Sequence, residues 1–280
     1  ATVLFLNSVL ATADGQIHVA EVSSTGGDLL ITDVQIDTDD GSKQVVSLHV
    51  NRGAGDGIVV DGIDNTAGAF SLASDDVDLL FVADFIDVQV AVDIDNVGTD
   101  DNLLGFMNFT ANQPIFIGVE AGDLSLSNAE IDFGTADDML IGRTTSGVVQ
   151  FNIDAAITPD SITRHWTIVS GDTITDNGAG GTDIVTLGTT GVLTFDSEDG
   201  ISGVEGLNTN ALRISAGVNG VAARSRSTGD VRLFEDDTDG MDLTLAQNVN
   251  TSFDPSSDFD GNITSADNVV LESEDATGLD

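Results

Sequence analysis

The sequence predicts an all-β chain, and three observations carry that prediction. Apolar residues recur at every second position in short runs, clusters of Gly, Asp, Asn, Ser and Thr separate the runs, and helical periodicity is nearly absent. Taken in order, Val46, Leu48 and Val50 share one face, with Ser47, His49 and Asn51 on the other. Val88, Val90, Val92 and Ile94 repeat the alternation against Gln89, Ala91 and Asp93. Leu124 and Leu126 follow, then Val149, Phe151 and Ile153, and finally Leu243 and Leu245. Between them stand TDDGS, GAGDG, VGTDDN, GTADD, DNGAGG, SEDG and EDDTDG, and only three prolines (Pro114, Pro159, Pro255) interrupt the chain.

Two all-β architectures fit, a β-solenoid and a β-sandwich with many short strands. The solenoid is favoured. Two-residue hairpin signals are few, and runs such as DLLFVADF and DIVTL are apolar on both faces, as strands buried in parallel sheets are. No strict period emerges along the sequence. Pro159 to Trp166 offers a boundary between an N-terminal β region, 1–158, and a C-terminal region with Asp-rich turns, 159–280, unless the two form one elongated domain.

At 280 residues with 40% apolar composition, the chain can bury a real core. It carries 48 acids against 8 bases, a formal net charge of −40, and only eight of the acids are glutamates. Aspartate forms helices and strands poorly, but it suits turns and is a short, stiff oxygen ligand for a hard cation. The skew therefore points to acidic turns that hold metal, with adaptation to salt as the plainer alternative. A charge of −40 repels nucleic acid and anionic membrane surfaces, and no apolar run approaches the length of a bilayer span. Cysteine is absent, so disulfides cannot staple the fold. The start, ATVLFLNSVLATADG, lacks the basic region of a signal peptide and reads as a processed terminus, while the end reads as an interior piece of a longer chain.

Glycines in GAGGTDIVT (178–186) can adopt positive φ and expose carbonyl oxygens, and Asp183 adds a carboxylate beside a run that enters the core. Such a turn can bind Ca²⁺ through backbone and Asp oxygens. This stretch resembles the calcium-binding nonapeptide GGxGxDxUx of RTX-type bacterial surface-layer and adhesin proteins: Gly178, Gly181, Asp183 and Val185 match, and Ala179 replaces a glycine. GTADDMLIG (134–142) is similar, with Asp137 and Asp138 as its acids, and RGAGDGIVV (52–60) has the glycines with its acid at Asp56. ISGVEGLNT (201–209) is similar to segments of the same proteins, although tandem nonapeptides are missing. The resemblance implies export without a cleaved signal, folding triggered by Ca²⁺, and in some members a lattice on the cell surface.

Further acidic groups are metal candidates in their own right. Asp258, Asp260 and Asp267 fall at positions 3, 5 and 12 of an EF-hand-like spacing counted from Ser256. Asp37, Asp39 and Asp40, and Asp237 and Asp239 with Glu235 and Asp236, crowd carboxylates that repel unless splayed or bridged by a cation. Arg213, Arg224, Arg226 and Arg232 place four of seven arginines within twenty residues, a patch able to meet the acidic face of another copy, with local ion pairs as the alternative. Asn108, Asn250 and Asn262 stand in glycosylation triplets.

No catalytic motif is present: neither HExxH, nor GxSxG, nor a phosphate-binding glycine loop. His49 is expected on the polar face of its strand, and Trp166 in the core. The expectation is an extracellular structural protein, not an enzyme, stabilised by Ca²⁺ and assembling with its own copies into a surface layer, fibre or adhesin. Strand edges, the arginine patch and Ca²⁺ bridges are the available joints, and a cell-surface polysaccharide is a second possible partner. The rival is a carbohydrate-binding module or a β-helix enzyme acting on polysaccharide. One Trp, no Tyr and thirteen Phe leave little surface for stacking sugars.

Overall fold

Parallel pairing dominates the molecule. The computed structural model describes residues 4–7, 16–21, 28–33, 44–50, 57–60, 70–71, 77–89, 92–93, 103–118, 124–132, 134–151, 162–176, 184–185, 192–203, 210–215, 220–235 and 263–273. One sheet runs in the order β2 (Gln16–Glu21), β4 (Gln44–Val50), β7 (Val77–Val82), β10 (Leu103–Met107), β13 (Gly134–Gly142), β15 (Ile162–Val169), β18 (Val192–Ser197), β21 (Gly220–Ser225), β23 (Ile263–Thr264). A short pair, β6 (Phe70–Ser71) and β9 (Val92–Asp93), joins its β13. We call this sheet the first face.

The second face begins with β1 (Leu4–Asn7), β3 (Leu29–Asp33), β5 (Ile58–Val60) and β8 (Ile86–Val88). It continues as β12 (Leu124–Leu126), β11 (Ile115–Ile117), β14 (Val149–Phe151), β16 (Ile174–Asp176), β19 (Ile201–Ser202) and β22 (Val231–Glu235). Beside β22 lie β24 (Val269–Ser273) and β20 (Leu212–Ser215), the latter paired to β17 (Ile184–Val185). The chain passes between the faces in successive coils, and every strand pairing among the described residues is parallel. This is the β-solenoid of the two expected architectures, and the sandwich, which needs antiparallel ladders, is not formed.

Two rows of side chains fill the space between the faces. Leu79, Leu104, Met139, Trp166, Leu193 and Val221 pair in sequence along the first face, as do Phe81, Phe106, Ile141, Ile168, Phe195 and Ala223. All are buried, Trp166 completely, as the sequence predicts. Like stacks on like in a solenoid because each coil presents the same position to the next, about 4.8 Å away. The Phe81 and Phe106 rings stack with centroids 5.7 Å apart. Ile115, Val149, Ile174, Ile201 and Val231 form the facing row on the second face.

The outer side of the first face is apolar as well. Leu80, Val82, Leu103, Met107, Leu140 and Val169 form a second buried cluster, which accounts for runs such as DLLFVADF being apolar at every position. Gly105 belongs to this arrangement: a Cβ there would sit 2.3 Å from the Leu80 side chain.

Two expectations about elements change. GTADDMLIG, expected as a glycine-rich calcium turn, is one nine-residue strand, β13, because Met139 and Ile141 face the core while Leu140 joins the outer cluster. The run Val88–Ile94, expected as a single strand, divides between two sheets: Val88 ends β8 against β5, and Val92 starts β9 against β13. The coils have no fixed length, as the sequence predicts: steps of 27 residues from Asp138 to His165 and from His165 to Val192 follow one of 35 from Leu103 to Asp138. Across residues 158/159, β14 pairs β16 and β13 pairs β15.

Candidate functional site

The corner where each coil turns from the first face to the second is the most polar organised region of the described chain. Successive coils place Ser170, Ser197, Ser225 and Ser265 at the ends of their first-face strands, as the last strand residue or the one after it. Each hydroxyl bonds backbone at the turn, which suits a residue that competes well for main-chain partners. Ser170 Oγ donates to the carbonyl of Gly147 on the preceding coil at 2.8 Å and accepts from the Asp172 N–H at 3.1 Å. Ser197 Oγ accepts from Gly200 N–H at 3.2 Å. Ser225 Oγ donates to the Thr228 carbonyl. Ser265 Oγ donates to the Gly229 carbonyl of the coil before at 2.8 Å, and accepts from Asp267 N–H at 3.0 Å.

Glycine closes two of these turns. Gly200 and Gly229 have φ of +119° and +81°, and a Cβ on Gly229 would lie 2.0 Å from the Asp199 carbonyl oxygen. Only glycine takes such a conformation at so close a backbone approach.

Charge is concentrated on the same corner. The Asp196 carboxylate is fully buried and accepts from Arg224 Nε at 3.0 Å, Arg224 Nη2 at 2.6 Å and Arg226 Nη1 at 3.1 Å. Arg226 also donates from Nε to Glu198 at 3.0 Å and from Nη2 to the Ser170 carbonyl at 2.5 Å, so one side chain ties three coils. One coil on, Asp230 accepts from Arg232 Nη2 at 2.5 Å and from the backbone and side-chain amides of Asn268 at 3.1 and 2.8 Å. The Asn268 and Arg232 hydrogen bonds hold its carboxyl below the ordinary aspartate value.

Arg224, Arg226 and Arg232 are thus engaged by acids of their own chain. Three of the four arginines of the expected patch make local ion pairs, and parallel register lays Arg224 directly beside Asp196. Arg213 is on β20 of the second face, in register with Phe234 of the neighbouring β22.

The earlier coils brace the corner with other side chains. Asp84 accepts from the Thr110 N–H at 2.7 Å and its hydroxyl at 2.5 Å. Asn108 is wholly buried; its Nδ2 donates to the Thr110 carbonyl and its Oδ1 accepts from Ser146 Oγ at 2.5 Å. Its expected glycosylation is closed off in this fold, since the amide nitrogen is committed inside the chain. Arg143 Nη2 donates to the Phe109 carbonyl at 2.5 Å.

Among the expected metal ligands, Asp138 is buried on the outer side of β13, in register with Leu103 and His165, and Asp137 is its half-buried neighbour. Asp267 is exposed, and its Oδ2 accepts from Gly229 N–H at 2.9 Å, so it braces a turn between coils. Asp183, Asp37, Asp39, Asp40, Asp237, Asp239, Asp258 and Asp260 lie outside the described residues, as do Asn250 and Asn262. Among the described residues, no three His, Asp or Glu side chains converge as a metal-binding group.

β16 pairs β19, and β17 pairs β20 in the next coil.

One polar group lies away from the corner. On the outer side of the first face, His18 Nδ1 and His49 Nε2 both hydrogen-bond Ser47 Oγ, the latter at 3.0 Å. Burial, followed by the neighbouring His18 and Arg143, lowers the His49 pKa from the ordinary imidazole value.

The chain matches no protein-family model, no curated protein and no solved structure.

Proposed function

We propose that this chain is an extracellular structural subunit: a β-solenoid spacer, stiffened by Ca²⁺ in its acidic loops, that joins other copies in a surface layer, fibre or adhesin. The observation that carries the reading is the bracing of the corner, where side chains of successive coils bond one another from Asp84 to Asn268. A rod built this way resists bending because each coil is held at its edge as well as through its core. The charge of −40 supports the calcium part: self-repulsion opposes compaction until cations offset it. The carbohydrate reading loses its best residue, since the lone Trp166 is fully buried and presents no stacking surface.

Light scattering and negative-stain microscopy during a titration from chelator to about 10 mM Ca²⁺, with Mg²⁺ at equal strength as control, test the proposal. Compaction and ordered polymers with Ca²⁺ alone are expected. A folded monomer at every Ca²⁺ concentration would overturn it and leave the acidity as adaptation to salt.

A further inference from the structure

The two histidines on the outer side of the first face point to a metal chemistry different from that of the aspartates. His18 is on β2 and His49 on β4, neighbouring parallel strands in which His18 pairs Ser47 and Ala20 pairs His49. The two imidazoles are therefore diagonal neighbours on one face, with ring centroids 6.3 Å apart and planes at 75°. His18 is exposed and His49 half-buried, so solution reaches the pair. Their Nδ1 and Nε2 atoms converge on one point, the Ser47 hydroxyl oxygen.

We propose that His18 and His49 form a two-imidazole site for a borderline transition-metal cation such as Cu²⁺, Ni²⁺ or Zn²⁺, with water completing the coordination. Imidazole nitrogen suits these ions, whereas Ca²⁺ takes oxygen. At a metal–nitrogen distance of about 2.0–2.1 Å, two rings on one tetrahedral ion have centres about 5 Å apart, so side-chain rotation closing the gap by about 1 Å admits the ion. Ser47, itself 1% exposed, is the hydrogen-bond partner that aims both rings at one place before the ion arrives. The next strand places Leu80 and Val82, both 4% exposed, in register with Ser47 and His49, an apolar flank that limits water on that side. The −40 charge of the chain raises the local concentration of any cation.

The test is titration of the intact chain with Cu²⁺ at neutral pH in millimolar Ca²⁺, which occupies hard carboxylate sites, read by electron paramagnetic resonance. A 1:1 complex with hyperfine structure from two imidazole nitrogens is expected, unchanged in His165→Ala. Affinity should fall about tenfold or more in His18→Ala, and the nitrogen signal should vanish in His18→Ala/His49→Gln. His18 is exposed, so the single variant keeps the fold, and circular dichroism verifies it. All-oxygen coordination in the natural sequence, or a nitrogen signal that survives the double substitution, would overturn the proposal. Neither result bears on Ca²⁺-driven assembly.

Discussion

Asp196 shows what a single residue does in this fold. Its carboxylate is fully buried between two guanidinium groups that each keep 15–20% of their surface in water. Replacing it with Asn leaves two cations facing a neutral amide. The expected cost is about 2–4 kcal/mol, somewhat below that of breaking a wholly buried pair because both arginines still touch solvent. Urea unfolding of Asp196→Asn against the natural sequence measures it, and a loss under about 1 kcal/mol would show that the cluster is not a clamp. The arginines were visible in the sequence as a cluster, but their partners were not. Asp196 and Arg224 are 28 positions apart, and only parallel register brings them together. The corner serines had a legible signal that went unread. Ser170 and Ser197 each stand two residues before an Asp and four before an Ile, in SGDTI and SEDGI, and the same order recurs as SADNV from Ser265.

At the scale of elements, the short helix α1 (Asn128–Asp132) is the useful exception to the β pattern. It follows β12 and is pinned by Glu130, whose carboxylate accepts from Ser127 N–H at 2.7 Å and from Val88 N–H of the neighbouring β8 at 3.2 Å. Burial raises the Glu130 pKa above its ordinary 4.5, against the pull of those N–H groups. A folded-state pKa above the unfolded value means that the folded chain binds the proton more tightly. That contribution is complete below the ordinary value and lost as pH rises through the raised one. The stability of the natural sequence minus that of Glu130→Gln should therefore decline as pH rises above the ordinary 4.5 in paired thermal melts. A difference that is flat or rises with pH would contradict the assignment. The β13 strand teaches the opposite lesson about local signals. Gly134 and two acids read as a turn, yet burial of Met139, Leu140 and Ile141 on both sides of a parallel sheet outweighs the turn propensity of the acids beside them.

The whole molecule is a stack of coils carrying 48 acids and 8 bases. Self-repulsion across it is long-ranged at low salt, where the screening length is about 30 Å at 0.01 M, and nearly gone at 1 M, where it is about 3 Å. The melting temperature should rise with NaCl over that range, and Ca²⁺ should achieve the same rise at far lower concentration. Differential scanning calorimetry decides; a melting temperature independent of NaCl would mean that the acids are already compensated within the fold. The sequence by itself determined the all-β class, the burial of Trp166 and of phenylalanines such as Phe81, Phe106, Phe151 and Phe195, and the acidity, because these follow from composition and from period-two alternation between neighbours along the chain. Tertiary structure alone decided that the strands stack as parallel coils, that Arg224 and Arg226 close on Asp196, that Asn108 is enclosed, and that His18 and His49 meet. The physical reason is distance along the chain. From β2 to β23 along the first face, paired residues of successive coils are 25 or more positions apart, and loops of unequal length between coils erase the period that would have announced the register.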